Sequence, residues 1–197
     1  MHTIAAAVTH EHEVRRSRFV AHAAPVASEA ETVAFLESVA DPSATHNGWA
    51  WRLDDGYRFN DDGEPAGTAG RPILSVLEGR DLQRVMVVVT RWYGGIKLGA
   101  GGLARAYAGT AARALDRARV HPVHPMVTGR LEAPFEDAGI VHRHLAQLGA
   151  KVVEERFESN GSRLVFEVRA DRFAALENGL RDASSGRVRT VRTDEGR

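Results

Sequence analysis

Five glycines lie within nine residues of this chain, in a stretch that could bind phosphate. Residues 90–107 have the sequence TRWYGGIKLGAGGLARAY, and its glycines are Gly94, Gly95, Gly99, Gly101 and Gly102. Glycine lets a backbone approach a ligand closely, and the free N–H groups at the start of a helix attract anions. Lys97 lies inside the stretch and is one of only two lysines in the 197 residues. Three alternatives follow: a phosphate cradle, a close contact with a partner, or a tight turn.

Two known nucleotide-binding patterns fit this stretch only in part. Gly94 and Gly99 have the spacing of a Walker A loop, but Ala100 stands where that loop has its lysine. Residues 99–104 match the GxGxxA dinucleotide fingerprint. However, residues 94–98 separate that fingerprint from the preceding apolar run, and no strand-end acid follows about twenty residues later. The spacing therefore argues against a nucleotide site.

Binding to the phosphates of RNA is the leading hypothesis for the same stretch. Residues 84–119 contain seven basic side chains and one acid, and four arginines share one face of a helix predicted over 103–119. The basic side chains would contact phosphates, and the glycines would let the backbone approach them. The predicted nucleic-acid-binding residues are Arg91, Gly94, Gly95, Lys97, Gly99, Arg105 and Arg113.

An acidic stretch before the glycines is the second candidate for chemistry. Residues 61–70 have the sequence DDGEPAGTAG, whose three carboxylates could bind a hard cation or act in acid–base catalysis. Residues 44–47 (ATHN) supply a histidine that could be a general base. A solvated turn and a hydrogen-bonded structural histidine are the simpler alternatives. The residues of this candidate cleft are His46, Asn47, Asp61, Asp62, Glu64 and Thr68.

Composition excludes several classes of protein. The chain has no cysteine, which removes disulfides, thiolate catalysis and zinc or iron–sulfur sites built on cysteine. It carries 26 basic and 26 acidic residues, so no global charge draws it to nucleic acid. No apolar run is long enough to span a bilayer and no signal peptide is visible, so we expect a cytoplasmic protein without a membrane partner. The motifs specify no catalytic residue, no metal site and no cofactor.

The periodicity of the sequence predicts two α+β domains, residues 1–122 and 123–197. From residue 126 the pattern is strand, helix, two strands, helix and strand, the βαββαβ order of ferredoxin-like domains. The apolar run at 85–89 lacks polar alternation, which predicts a central strand covered on both faces. Two prolines within residues 121–125 predict a linker. The other elements predicted in the first domain are strands over 19–26, 49–53 and 57–60 and helices over 28–40 and 103–119.

Several stretches together resemble one protein family. Residues 15–20 (RRSRFV), 44–47, 61–74 (DDGEPAGTAGRPIL) and 90–107 resemble the successive motifs of the YigZ/IMPACT family, and the resemblance covers most of residues 14–120. It implies an N-terminal domain with the fold shared by domain IV of elongation factor G and the ribonuclease P protein. It also implies a C-terminal ferredoxin-like domain similar to domain V of elongation factor G.

The family resemblance also bears on function. Bacterial members are described as nucleic-acid-binding or translation-linked, so we expect a non-enzymatic protein that binds RNA or the ribosome and affects translation. Eukaryotic members bind a protein that activates a kinase of initiation factor two, so a protein-interaction regulator with a protein partner is the second alternative. The third alternative is an enzyme whose cleft joins His46, Asp61, Asp62 and Glu64.

Overall fold

The computed structural model describes residues 1–193, and the last four residues of the predicted second domain, 194–197, lie outside that range. The chain divides into two compact units, Met1–Val123 and the part that begins at His124. The elements of the first unit are β1 (His2–Ile4), β2 (Val8–Val14), β3 (Ser17–Pro25), α1 (Glu29–Val39), β4 (His46–Leu53), β5 (Gly56–Asn60), α2 (Gly70–Gly79), β6 (Val85–Trp92), α3 (Ala100–Leu115) and β7 (Val120–Pro122). Those of the second unit are β8 (Met126–Pro134), α4 (Ala138–Gln147), β9 (Lys151–Glu158), β10 (Gly161–Arg169), α5 (Ala170–Ala183) and β11 (Arg189–Arg192).

A five-stranded antiparallel sheet in the order β2-β3-β6-β4-β5 forms the frame of the first unit. Strand β6 lies at its centre, and each residue from Val85 to Arg91 is buried. The side chains of Val85, Val87 and Val89 pack with α2 and α3. Those of Met86 and Val88 pack with α1 on the opposite face. The prediction of a central strand covered on both faces is confirmed, and this double burial explains the absence of polar alternation.

Four elements of the first unit have no counterpart in the sequence analysis, namely the short strands β1 and β7, the edge strand β2 and helix α2. Helix α2 begins at Gly70, the last residue of the acidic stretch, where the glycine-rich composition obscures a helical start. Strand β2 is an edge strand whose residues alternate between half-buried and exposed, and polar residues occupy both kinds of position. An edge strand of this kind lacks the apolar alternation by which strands are recognised.

The end of the first unit also differs from prediction. Helix α3 ends at Leu115 and not at residue 119, because the Arg117 and Ala118 N–H groups bond three residues back and tighten the last turn. The predicted linker over 121–125 is wrong in its first part. Residues Val120–Pro122 form β7, which pairs with β1.

The second unit has the predicted βαββαβ order, and its strands pair antiparallel in the order β11-β8-β10-β9. Alternate residues of β8 point to a core that includes residues of α4 and α5, among them Leu145 and Leu176. The α+β prediction is confirmed. No helix within residues 1–193 has both the length and the apolar character needed to cross a membrane.

Candidate functional site

A groove of about 270 Å³ lies between the edge strand β2 and helix α3 in the first unit. One wall is formed by β2 and the turn that follows it. The other wall is formed by α3 residues three or four positions apart, which lie on one face of the helix. Arg105 and Arg113, both predicted to bind nucleic acid, lie on the helical wall. The lining residues are His12, Val14, Arg15, Leu98, Gly102, Arg105, Ala106, Gly109 and Arg113.

The arginines of this groove carry uncompensated charge. Within residues 1–193, Arg15, Arg105 and Arg113 make neither an ion pair nor a side-chain hydrogen bond. Two nearby acids are already occupied: Glu11 pairs with Arg18 at 2.9 Å, and Asp116 pairs with Arg80 at 2.6 Å. The groove is therefore a local basic surface on a chain without net charge.

Two histidines of β2 lie beside the same helix. Burial lowers the pKa of His10, and the nearby charges of Arg117 and Arg113 lower it further, although Asp116 partly opposes them. Burial, Arg113 and the neighbouring His10 ring lower the pKa of His12. The two rings stack at 6.3 Å, and neither nitrogen of His10 has a hydrogen-bond partner within the described part of the chain. Both rings are therefore harder to protonate than an ordinary histidine.

The glycines of the loop before α3 meet different structural needs. A Cβ at Gly94 would lie 1.9 Å from the Arg16 carbonyl oxygen, so only glycine fits against the β2–β3 turn. Gly95 and Gly99 adopt φ angles of 84° and 72°, in the left-handed region that favours glycine. Lys97 is exposed and directly precedes the groove-lining Leu98. Close packing and backbone conformation account for these three glycines, while Lys97 remains available to a ligand.

Arg91 is buried, which differs from its predicted role as a surface contact to phosphate. Its side chain is only 6% exposed, and its Nη1 donates to Glu64 Oε1 at 2.5 Å. The Tyr107 hydroxyl donates to the same oxygen at 2.9 Å. Burial raises the pKa of the Tyr107 phenol, and the charge of Glu64 and its hydrogen bond raise it further. A phosphate could reach Arg91 only by displacing a buried carboxylate, so we leave Arg91 out of the phosphate-binding set.

His46 joins this buried cluster from the start of β4. Its Nδ1 lies 2.6 Å from the Asp62 carbonyl oxygen, and its Nε2 lies 3.9 Å from Glu64 Oε2. The ring remains 22% exposed, whereas Glu64 is 2% exposed. The acidic stretch and the glycine stretch therefore meet, because Glu64 comes from one and Arg91 from the other. Within residues 1–193 no third histidine or carboxylate completes a metal-binding group with His46 and Glu64.

Asp61, by contrast, stabilises the start of α2. One of its carboxylate oxygens accepts hydrogen bonds from the N–H groups of Ala69 and Gly70, and the other accepts from Gly67. A carboxylate at a helix N-terminus satisfies free N–H groups and interacts favourably with the helix dipole. These bonds leave Asp61 with a structural role.

The other members of the candidate cleft are also engaged in local hydrogen bonds. Asp62 accepts from the Asn47 N–H at 2.6 Å, and the Asn47 side-chain oxygen accepts from Thr90 at 2.9 Å. The Thr68 hydroxyl donates to the Pro65 carbonyl oxygen at 2.6 Å. Of the six residues grouped by the sequence, only His46 and Glu64 face each other with side-chain atoms, His46 Nε2 and Glu64 Oε2, which lie 3.9 Å apart.

Sequence reasoning missed a cleft of about 650 Å³ on the face of the second unit's sheet opposite α4 and α5. Its arginines differ in their pairing. Arg163 contacts Glu132 and Arg156 contacts Glu154, whereas Arg130 makes no ion pair within the described residues. The sequence could have indicated this face, because every second residue of a strand points to the same side, and in β8 and β10 one set of alternate residues points away from the core. His12 and Arg15 were missed because β2 was not predicted.

Comparisons with known proteins agree with this architecture. Residues 15–115 match the Impact N-terminal domain, and residues 131–187 match a domain of unknown function, DUF1949. A solved crystal structure of a hypothetical protein superposes with a TM-score of 0.79 at 32% identity and covers 98% of this chain and 97% of its own. The two-domain α+β organisation is thus one that an experimental structure also shows.

Curated relatives point to the same family. An IMPACT family member from Thermus thermophilus is 52% identical over 137 residues, which are 67% of this chain and 76% of the relative. The IMPACT family member YigZ of Escherichia coli is 36% identical over 162 residues, 79% of each chain. The chain belongs to the IMPACT family, and the predicted resemblance is confirmed.

Proposed function

We propose that this protein binds RNA, free or within the ribosome, through the groove between β2 and α3, and that it affects translation by this binding. The observation that carries the proposal is the set of three groove arginines without an acidic partner in the described chain, Arg15, Arg105 and Arg113. Phosphate groups are the ligands that such uncompensated guanidinium groups bind best.

Two features beside the arginines support the same ligand. Lys97 is exposed next to the groove, where it adds a fourth cation. The first turn of α3 has no side-chain cap, and its Gly102 lines the groove. Uncapped N–H groups at a helix start favour anions.

The affinity for RNA should depend strongly on salt, because phosphate contacts release counterions. Four contacts to a single strand give a slope of about −2.8 in a plot of log K against log salt, which is a loss of roughly 50-fold between about 50 and 200 mM. Removing two contacts lowers the slope to about −1.4 and the loss to about sevenfold.

The test compares the double variant Arg105→Ala with Arg113→Ala against the wild-type chain. Fluorescence anisotropy with a labelled single-stranded RNA and co-sedimentation with ribosomes are both measured across a salt series. The matched control is Arg58→Ala with Arg71→Ala, which removes the same charge from two exposed arginines that pair with Glu29 and Glu78. We expect only the groove variant to bind RNA more weakly and with a smaller salt slope than the wild-type chain. Equal slopes in the two variants, or no binding by the wild type at low salt, would contradict the proposal.

A further inference from the structure

Two hydrogen-bond acceptors face each other where the acidic and glycine stretches meet. His46 Nδ1 must carry its hydrogen, because its partner, the Asp62 carbonyl oxygen at 2.6 Å, can only accept. In the neutral ring Nε2 is then an acceptor, and it faces Glu64 Oε2 across 3.9 Å. No N–H or O–H group of residues 1–193 donates to either atom.

The charge of Glu64 is already compensated on its other oxygen. Oε1 accepts from Arg91 at 2.5 Å and from Tyr107 at 2.9 Å, so the carboxylate is held in one orientation. The other oxygen, Oε2, accepts no hydrogen bond from the described residues, although the Glu64 side chain is only 2% exposed. Neither Oε2 nor His46 Nε2 is among the fully buried side-chain atoms that lack a partner, so a ligand that donates to them would take the place of solvent.

A half-exposed aromatic ring lies beside Arg91, the residue that binds Glu64. Tyr93 is 45% exposed, and its N–H donates to the hydroxyl of Thr45, the residue before His46. The Arg91 guanidinium lies 5.3 Å from the Tyr93 ring centre while it also binds Glu64. The ring and the acceptor pair therefore belong to one continuous cluster. Proteins that recognise single-stranded RNA stack unpaired bases on such rings and read the base edges with hydrogen bonds.

We propose that Tyr93, His46 and Glu64 bind one unpaired nucleobase that carries an exocyclic amino group. The base stacks on Tyr93, and its amino group donates one hydrogen to His46 Nε2 and the other to Glu64 Oε2. A nitrogen about 2.9 Å from both atoms fits across their separation. Adenine, cytosine and guanine carry such a group, and uracil and hypoxanthine do not.

This inference rests on the proposed function, because RNA bound in the groove presents the base. The connection is short. Adjacent partners in the sheet register run from His46 through Arg91 and Phe19 to the groove-lining His12. Three strand spacings separate the ends of this row, which is about 14 Å.

The test measures the affinity of the full chain for oligo(C) and oligo(U) of about ten nucleotides at pH 7.5 and low salt. We expect tighter binding of oligo(C) by about tenfold or more. A second pair, oligo(U) with one central guanosine or one central inosine, differs only in the amino group and should show the same direction.

Variants separate recognition from charge. His46→Ala should remove the preference for bases with an amino group but keep the salt slope. Tyr93→Ala should weaken the binding of all four RNAs by about tenfold. The control His142→Ala, which changes an exposed histidine of the second unit, should leave both the preference and the affinity unchanged. A wild-type chain that binds all four RNAs equally with the expected slope overturns the base site and leaves the groove intact. A preference that survives His46→Ala also overturns the base site. No binding of any RNA at low salt overturns both proposals.

Discussion

Replacing Arg91 by leucine tests whether this residue is part of the interior or of a phosphate-binding surface. Removing one partner of a buried ion pair leaves the other charge uncompensated and costs about 3–5 kcal/mol of unfolding free energy. The pair qualifies because the Arg91 and Glu64 side chains are 6% and 2% exposed. Since domains of this size are stable by about 5–15 kcal/mol, the loss is a large fraction of the total.

Urea unfolding followed by tryptophan fluorescence measures this loss in the relevant unit. All three tryptophans, Trp49, Trp51 and Trp92, lie in the first unit, so the signal is free of the second. With a denaturant slope of about 2 kcal/mol per molar, the midpoint of Arg91→Leu should fall by about 2 M.

A double variant provides the control for the buried charge. Arg91→Leu with Glu64→Gln removes both charges, and an amide oxygen still accepts from the Tyr107 hydroxyl. We expect it to recover at least half of the lost stability, since neutral replacements of buried pairs are tolerated far better than half-pairs. The structural interpretation of Arg91 would be refuted if Arg91→Leu lost less than about 1 kcal/mol of unfolding free energy and instead lowered both the affinity for RNA and its dependence on salt.

Two further predictions concern the glycine loop and the groove. Gly94→Ala should cost about 2 kcal/mol or more of unfolding free energy, because its Cβ would meet the Arg16 carbonyl oxygen. Gly109→Ala, with nothing within 4 Å of the new Cβ, should stabilise α3 slightly, and equal effects in urea unfolding would exclude close packing at Gly94. RNA affinity should rise between about pH 7.5 and 5.5, because a bound phosphate favours protonation of His12, whose pKa is lowered in the free protein by burial, Arg113 and His10. In anisotropy titrations, His12→Asn should flatten this pH dependence. His10 also contributes to it, and the charges of Arg113, Arg117 and Asp116 act on the pKa of His10. An unchanged pH profile in His12→Asn would exclude the role of His12.

Much of the fold could be predicted because local periodicity and burial agree. The run at 85–89 indicated a doubly covered strand, and the βαββαβ order followed from the alternation of period two and period 3.6. Helix α2 escaped prediction although Ile73, Leu74 and Leu77 recur at helical spacing, because glycine and proline dominate the residues around its start. Strand β2 escaped because polar residues fill most of its positions. Tertiary packing against the sheet stabilises both elements.

The candidate site was predictable in residue types but not in arrangement. Spacing could place Lys97 in a glycine loop and Arg105 and Arg113 on one helical face. It could not show that Arg91 turns inward to Glu64, because that pairing joins residues 27 positions apart. Nor could it show that Arg15 lies across the groove from α3, since β2 was not recognised as a strand.

The sequence by itself determined the family, the two α+β domains and the glycine-rich passage from a buried strand to a basic helix. These features depend on local patterns, such as side-chain period and the freedom of glycine, that act over a few residues. The tertiary structure alone decided which charges are free. Arg91 is buried and paired with Glu64, and Asp61 and Asp62 accept hydrogen bonds from backbone N–H groups, whereas Arg15, Arg105 and Arg113 have no ion-pair partner in the described chain. The reason is physical: a charge is compensated by what the fold brings within a few ångströms, and sequence distance does not measure this.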